Sequence, residues 1–378
     1  MKLIDENDKK WLENPKNQLL FELNIAYNEA RRGGKRGTFD EHKFEINEAT
    51  NLVNLRDTLL DRTYRPSRGT AHIIYNPVIR EIFAAPFRDR IIHHWIYNCV
   101  YDWWDRRFVI DSYSCREGKG TKYGIDRLAH HIRSLSDNYK KEIYVIKLDV
   151  QGYFMSLDRE KLFKRAIWGL DQQFKNNKNW KYHLLKFCWE QIIFDDPIKG
   201  VIKQGWPNDW KNLPRSKSLF YQPKGKGIVI GNLTSQLLSN IYLDQLDRYI
   251  IYDLGYKHYG RYVDDFYFLV EKENLEKAKN DIKAIERYLT RLGLTLHPKK
   301  RYIQPVSRGV PFVGAVVYPG RIYPSKRLVK NFRTAVHEVA TGRRDPESIA
   351  SYLGHLKYLK SDKLITKVFA EVGWKYRR

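Results

Sequence analysis

Two short apolar runs, residues 259–263 and 266–270, are separated only by Asp264-Asp265. Successive strand residues point to opposite faces, so this pattern reads as a β-hairpin with carboxylates at its tip. A further carboxylate ends another apolar stretch, Glu142-Ile-Tyr-Val-Ile-Lys-Leu-Asp149. Being apolar on both faces, that stretch reads as a central buried strand with Asp149 at its C-terminal mouth. The two acidic sites converge only if these strands are neighbours in one sheet. The order strand, helix, loop, helix, hairpin, helix, strand permits that, as a split βαβ, ferredoxin-like sheet.

Three carboxylates at one end of a sheet repel one another unless cations neutralise them. Mg²⁺, which prefers oxygen ligands shared with substrate phosphates, fits them best, with Mn²⁺ as a substitute. Two such ions about 4 Å apart activate an attacking 3′-hydroxyl and stabilise pyrophosphate as it leaves, so the reaction class implied is nucleotidyl transfer. An Asp-Asp pair in a turn is also a common solvated feature, but Tyr262-Val263-Asp264-Asp265 between two apolar runs is a narrower pattern. The rest of the chain is basic: 68 Lys and Arg against 44 Asp and Glu leave a formal net charge of +24. That excess calls for an acidic partner, and nucleic acid is the usual one.

Composition excludes other classes. With 42% hydrophobic and 30% charged residues, global disorder is ruled out. Cys99, Cys115 and Cys188 are widely spaced and odd in number, which suits neither a disulfide framework nor a cysteine zinc site. The tandem pairs His93-His94 and His130-His131 point apart on any regular element and do not make one either. The N-terminus has no apolar signal region, and no window approaches the ~18 apolar residues of a membrane span. A soluble, cytoplasmic protein with no membrane partner is expected.

Along the chain, helical periodicity over residues 15–66 is broken by a glycine-spaced basic run containing Arg31, Arg32, Lys35 and Arg36. Such a run suits a phosphate backbone or a solvated loop. Strands leading into an aromatic-rich helix are expected over residues 71–108. Residues 196–227, loaded with Pro, Gly and Lys, read as an irregular, basic, mobile connection. A helix follows, capped by Thr234 or Ser235 and carrying Leu238, Ile241, Tyr242 and Leu246 on one face. Another runs from Leu275 to a closing Gly293. A second hairpin turning at Pro319-Gly320 leads into a small helical lobe.

The motif Tyr262-Val-Asp-Asp265 resembles that of reverse transcriptases, and Lys147-Leu-Asp-Val-Gln-Gly-Tyr-Phe154 resembles their first aspartate motif. Gly227-Ile-Val-Ile-Gly-Asn-Leu-Thr-Ser-Gln236 is similar to the IGxxxSQ motif of the reverse transcriptases of diversity-generating retroelements. Blocks of that family are also resembled at residues 80–90, 111–121 and 351–357. The resemblance implies an α+β right-hand polymerase: fingers from 1–118 with 160–228, palm from 119–159 with 229–318, and a helical thumb from 319–378.

It also implies roles. Asp149, Asp264 and Asp265 would be the metal carboxylates, with the backbone oxygen of Val150 a further ligand. Lys300 would protonate the leaving pyrophosphate, although adjacent Lys299 competes for that assignment. Phe154 would select dNTPs by excluding a ribose 2′-hydroxyl; alone it would read as ordinary core. Arg80 would pair with the incoming triphosphate, while Gly231 and Gln236 would border the nucleotide. Ile230 stands where many reverse transcriptases carry glutamine, so a side chain able to hydrogen-bond the nascent pair is replaced by one that cannot. Weaker geometric checking would follow, in keeping with adenine-directed errors, unless Ile230 only packs beneath the site. Arg88 and Lys119 would contact nucleic acid, and Gly314 and Gly320 would let the primer strand approach closely.

Expected partners are a structured template RNA, a DNA or RNA primer and a small, basic, oligomeric accessory protein, in a prokaryotic or phage-encoded setting. With no ribonuclease H, endonuclease or integrase motif, other factors would complete the process. The alternatives are a host-defence or retron-like reverse transcriptase, against which the missing Pro-Gln-Gly counts, and a catalytically idle RNA-binding scaffold.

Overall fold

The strand that ends on Asp149 and the hairpin that carries Asp264 and Asp265 are neighbours in one sheet, in a computed structural model that describes residues 13–34, 36–75 and 78–376. Its strands are β1 (Thr70–Ile74), β2 (Arg80–Ala84), β3 (Ile143–Asp149), β4 (Ile202–Lys203), β5 (Tyr259–Tyr262), β6 (Asp265–Glu271), β7 (Tyr302–Pro305), β8 (Val310–Phe312), β9 (Ala315–Tyr318) and β10 (Arg321–Pro324). The chain divides into two units. One takes the chain up to Phe108 with residues 151–245 and 288–295, and the other takes 109–150, 246–287 and 296–378.

In the first unit, helix Pro15–Ala30 starts where the Asn14 side chain accepts the Lys16 amide and Pro15 supplies a preset first turn. It packs on helix Phe87–Arg107, with Tyr27 edge-on to Phe87 at 5.8 Å. The aromatic stretch read from the sequence forms the C-terminal part of this second helix, where Trp95 and Trp104 are fully buried. A three-stranded sheet runs β2-β1-β4, with β1 antiparallel to β2 and parallel to β4.

The connection over residues 196–227 is irregular, as its composition predicts, but it is not loose. It holds β4 and three short 3₁₀ turns, and it hangs on the buried carboxylate of Glu81. Glu81 accepts from Trp210 Nε1 at 2.7 Å, Ser218 Oγ at 3.0 Å and the Leu219 amide at 2.7 Å.

The next helix also differs from expectation. It spans Leu233–Arg248, so Thr234 and Ser235 lie inside its first turn rather than at the cap. Thr234 Oγ1 instead meets Nδ1 of buried His93 at 2.8 Å. Burial pushes that imidazole down to about 3, so it is neutral at physiological pH.

The second unit contains the acidic sheet, ordered β5-β6-β3-β7 and antiparallel throughout. Taken in chain order within the sheet, this is the 2-3-1-4 arrangement of a ferredoxin-like fold, as the order of elements predicts. Five consecutive residues of β6, Phe266 to Val270, are buried, as a central strand requires. Helix Thr121–Leu135 covers one face through Ile125, Leu128 and Ile132, which join Val145, Tyr267 and Leu269 of the sheet in one cluster. Helix Leu275–Arg291 makes the crossover between β6 and β7, and the chain leaves it at Gly293 with the Leu294 amide on the Leu289 carbonyl.

The second hairpin turns at Pro319-Gly320, pairing Tyr318 with Arg321, and completes a separate sheet ordered β10-β9-β8. Helices Lys326–Ala340, Glu347–Leu356 and Asp362–Ala370 then enclose their own core of Phe332, Val336, Leu356, Ile365 and Val368. No helix among the described residues is long and apolar enough to cross a membrane.

Glu81 is the main local test of this packing. Glu81→Ala strands three donors in a buried site and should lower unfolding stability by about 3 kcal/mol, seen as a lower urea midpoint. An unchanged midpoint would show that the 196–227 segment is not held through this carboxylate.

Candidate active site

The acidic centre lies within the second unit. The register of β3 on β6 sets Asp149 directly opposite Asp265, and Asp264 precedes it in the two-residue turn between β5 and β6. The Val150 amide donates to the Asp264 carbonyl at 3.1 Å, which ties the end of β3 to this turn. Like charges opposed across a strand pair are unfavourable, and two lysines offset them here. Lys147, two residues before Asp149 on the same face of β3, places Nζ 2.7 Å from Asp265 Oδ2. Lys300 places Nζ 3.0 and 2.8 Å from the two carboxylate oxygens of Asp149.

Of the adjacent lysines, Lys300 therefore sits on the acidic centre. A tight turn sends it there: the His297 amide donates to the Asp149 carbonyl at 2.8 Å, and the Lys300 amide to the His297 carbonyl at 3.2 Å. Burial, reinforced by the charges of Asp149 and Asp265 and opposed by Lys300, raises the Asp264 carboxyl to about 6. Burial also raises Asp265, against the opposing pull of Lys147.

The turn itself is strained. Val263 has φ +58°, a conformation that glycine usually supplies at the first position of such hairpins and that costs a β-branched residue about 1–3 kcal/mol. Two hydrogen bonds hold it. The Val263 amide donates to Ser114 Oγ at 2.9 Å, and Arg261 Nη1 donates to the Val263 carbonyl at 2.9 Å. Arg261 is completely buried and forks onto Asp247, Nε to Oδ1 and Nη2 to Oδ2, both at 2.7 Å. Residues Asp111 and Tyr113 run beside β5: the Arg261 amide donates to the Asp111 carbonyl at 2.8 Å and the Tyr113 amide to the Arg261 carbonyl at 2.9 Å.

Arg261, Asp247, Ser114 and Lys147 were not identified as site residues from the sequence. The available signal was a lysine and an arginine inside two otherwise apolar strands, since a charge buried there needs a dedicated partner.

Whether the aspartates suit divalent cations is tested by what already neutralises them. The set is all hard oxygen, two members carry ammonium groups where a cation belongs, and the third is held towards its protonated form by burial and by its neighbours' charges. That donor set fits. Among the described residues, the trio of ligand atoms within 4.8 Å of one another is Glu41, His42 and Glu45, while the aspartates stand further apart. Arg31 already pairs with two of the three, 2.6 Å from Glu41 and also bonded to Glu45.

The remaining candidates are distributed as follows. In the first unit, Arg80 opens β2 and is exposed. Phe154 and Ile230 are half-buried and pack against one cluster formed by Ala71, Phe83, Met155 and Leu219. The Ile230 carbonyl accepts the Phe83 amide at 2.8 Å. Gly231 follows with φ +137°, and a Cβ there would stand 2.0 Å from the Phe83 carbonyl oxygen, so only glycine fits. Gln236 is exposed.

Arg88 is engaged with Asp89 and with the Arg65 carbonyl. Arg32 and Arg36 are exposed, and Lys35 lies outside the described residues. In the second unit, Val150 is fully buried, and Lys119 donates to the Ile110 carbonyl at 2.6 Å. Gly314 and Gly320 adopt φ +89° and +69°.

Residues 79–317 match the family of the reverse transcriptase (RNA-dependent DNA polymerase), and the chain belongs to that family. Its fold class is accordingly the α+β right-hand polymerase, in agreement with the ferredoxin-like sheet. The family comprises nucleotidyltransferases that use divalent metal ions and dNTPs. No curated protein matches the chain.

Solved structures similar to it include apo telomerase from Candida tropicalis truncated from its C-terminal domain, at 16% identity and TM-score 0.48, covering 68% of this chain and 55% of that one. Another is Candida albicans telomerase in complex with a fragment of telomeric RNA, at 13% identity and TM-score 0.48, covering 82% and 60%. The chain thus spans little more than half the length of these telomerases.

Two substitutions test the geometry. Arg261→Met leaves the buried Asp247 without its ion-pair partner, with the Tyr259 hydroxyl still donating to it, and should cost about 3–5 kcal/mol, read as a lowered denaturation midpoint; a change under about 1 kcal/mol would contradict the buried pair. Gly231→Ala should drive Cβ into the Phe83 carbonyl and lower the denaturation midpoint, while an unaltered midpoint would contradict the need for glycine.

Proposed function

We propose that the chain is an RNA-directed DNA polymerase of the diversity-generating kind, copying a template-repeat RNA into cDNA with adenine-directed errors. The observation that carries the polymerase reading is the register that opposes Asp149 to Asp265 with Asp264 in the adjoining turn. On this reading Asp149, Asp264, Asp265 and the Val150 carbonyl hold two Mg²⁺ ions, with Mn²⁺ able to replace them. When bound, such ions supply Lewis-acid stabilisation to the attacking 3′-oxygen and to the departing pyrophosphate.

The chain's own residues do the rest. Lys147 opposes the rise that burial imposes on the Asp265 carboxyl and holds it in place. Lys300 leaves Asp149 and is the proton donor available to pyrophosphate. Arg80 pairs with the triphosphate as a bidentate fork. Phe154 excludes a 2′-hydroxyl, and Gly231 lets the backbone approach the nascent pair. The assignment of fingers, palm and thumb to residues 1–118 with 160–228, 119–159 with 229–318, and 319–378 belongs to the same proposal.

The mutagenic role is supported by the IGxxxSQ-like run from Gly227 to Gln236, in which Ile230 stands where many reverse transcriptases carry a glutamine able to hydrogen-bond the nascent pair. On this reading mispairs meet less geometric discrimination, although Ile230 also packs with Phe154 on one apolar cluster, and comparison with Ile230→Gln separates the two roles. A structured template RNA, a primer and a small basic accessory protein complete the proposed assembly.

Primer extension on a defined RNA template, with every product sequenced, tests the proposal. Asp264→Ala should reduce extension by about 10³-fold, the loss of several kcal/mol of transition-state stabilisation. Ile230→Gln should retain extension and lower misincorporation opposite template adenine. Full activity in the first variant would overturn the polymerase reading, and an unchanged error spectrum in the second would overturn the role of Ile230.

A further inference from the structure

We propose that residues 196–227, together with Tyr75, form a stacking platform for the single-stranded template RNA ahead of the nascent base pair. The proposal rests on the polymerase reading above. The platform lies wholly in the first unit, and its first sign is exposure: Trp206 is 79% exposed, Tyr221 57% and Tyr75 50%, in a protein that buries Trp95, Trp104 and Trp189. Exposed single aromatics are ordinary. Here Trp206 and Tyr75 meet at one carboxylate, and Trp206 and Tyr221 lie on one segment held in place.

The holding is specific. Asp209 accepts the Trp206 amide through Oδ2 and the Tyr75 hydroxyl through Oδ1, both at 2.7 Å, so one carboxylate sets the two aromatic residues beside each other. Gly205, at φ +102°, makes room for it, since a Cβ there would stand 2.6 Å from Asp209 Oδ2. The buried Glu81 anchors Trp210, Ser218 and Leu219 of the same segment. The aromatics are thus presented on a preordered support, which lowers the entropy lost on binding.

Charge supplies the second half of the argument. Residues 196–227 contain seven Lys and Arg against two Asp, and one of those aspartates is Asp209. Lys211 and Lys217 are exposed on the same segment, and the Arg215 guanidinium lies 5.2 Å from the Tyr221 ring. A basic surface interleaved with π-faces is the chemistry that binds unpaired nucleotides, because stacking needs bases that a duplex does not offer.

Position selects the template strand. Tyr75 directly follows β1, and Ile74 pairs in register with Arg80. If Arg80 binds the incoming triphosphate, the platform adjoins the strand that carries that arginine, and the unpaired strand nearest an incoming nucleotide in templated synthesis is the template awaiting pairing.

The test compares binding of primer–template duplexes whose RNA strand carries a 5′ overhang of either one nucleotide or about eight nucleotides, read by fluorescence anisotropy at fixed salt. For the wild-type chain the longer overhang should bind more tightly. Trp206→Ala should reduce that gain by about 5-fold or more, and Trp206→Phe should restore most of it. Thermal midpoints of both variants should match the wild type, because the indole is exposed.

An overhang gain unchanged in Trp206→Ala overturns the platform. So does loss of binding to phosphatidylserine vesicles in that variant with the overhang gain intact, which would assign the surface to an anionic membrane. Wild-type extension on the one-nucleotide overhang is measured in parallel. Its absence would overturn the polymerase reading itself, whereas extension with an unchanged overhang gain would remove the platform alone.

Discussion

Opposing Asp149 to Asp265 across two central strands places like charges side by side, and much of the second unit is arranged around that repulsion. The interior strands give each carboxylate a fixed backbone, and Lys147 and Lys300 supply the compensating charge. The third carboxylate reaches the same end of the sheet only because Val263 accepts a left-handed conformation. That strain persists because Arg261 and Ser114 bind both sides of the Val263 peptide, and Arg261 is itself held by Asp247. A stable, fully buried ion pair therefore supports a turn that would otherwise relax.

The two lysines have different standing. Lys147 is half-buried on the sheet, ion-paired with Asp265 and set over the Phe312 ring, so it acts as a positioning charge. Lys300 is more exposed and reaches Asp149 from a tight turn, so cations and substrate phosphates can compete for the same carboxylate. An acidic centre that is already neutralised stays folded without bound metal while remaining able to exchange an ammonium for a divalent ion.

Much of the second unit was legible in the chain because its signals are local. The apolar run ending at Asp149, the paired runs around Asp264-Asp265, the amphipathic stretch closing at Gly293 and the turn at Pro319-Gly320 each declare one element within a few residues. What escaped depends on partners distant in sequence. Glu81 holds Leu219 from 138 positions away, so residues 196–227 read as a loose connection when they are pinned. Thr234 has the chemistry of a helix cap, yet Leu233 is already helical, and the hydroxyl goes to His93, 141 positions earlier. Arg31 looked available for phosphate until the fold placed Glu41 and Glu45 against it. Local pattern names an element; only tertiary contact shows which side chains remain free for a ligand.

The central claim is that the aspartates bind catalytic divalent ions together. Mn²⁺ binding, followed by electron paramagnetic resonance in the presence of primer–template and a non-reactive dNTP analogue, addresses it directly. The account predicts two bound ions in the wild-type chain and loss of both in Asp149→Asn, with the fold unchanged by circular dichroism. Undiminished Mn²⁺ binding in that variant would contradict it.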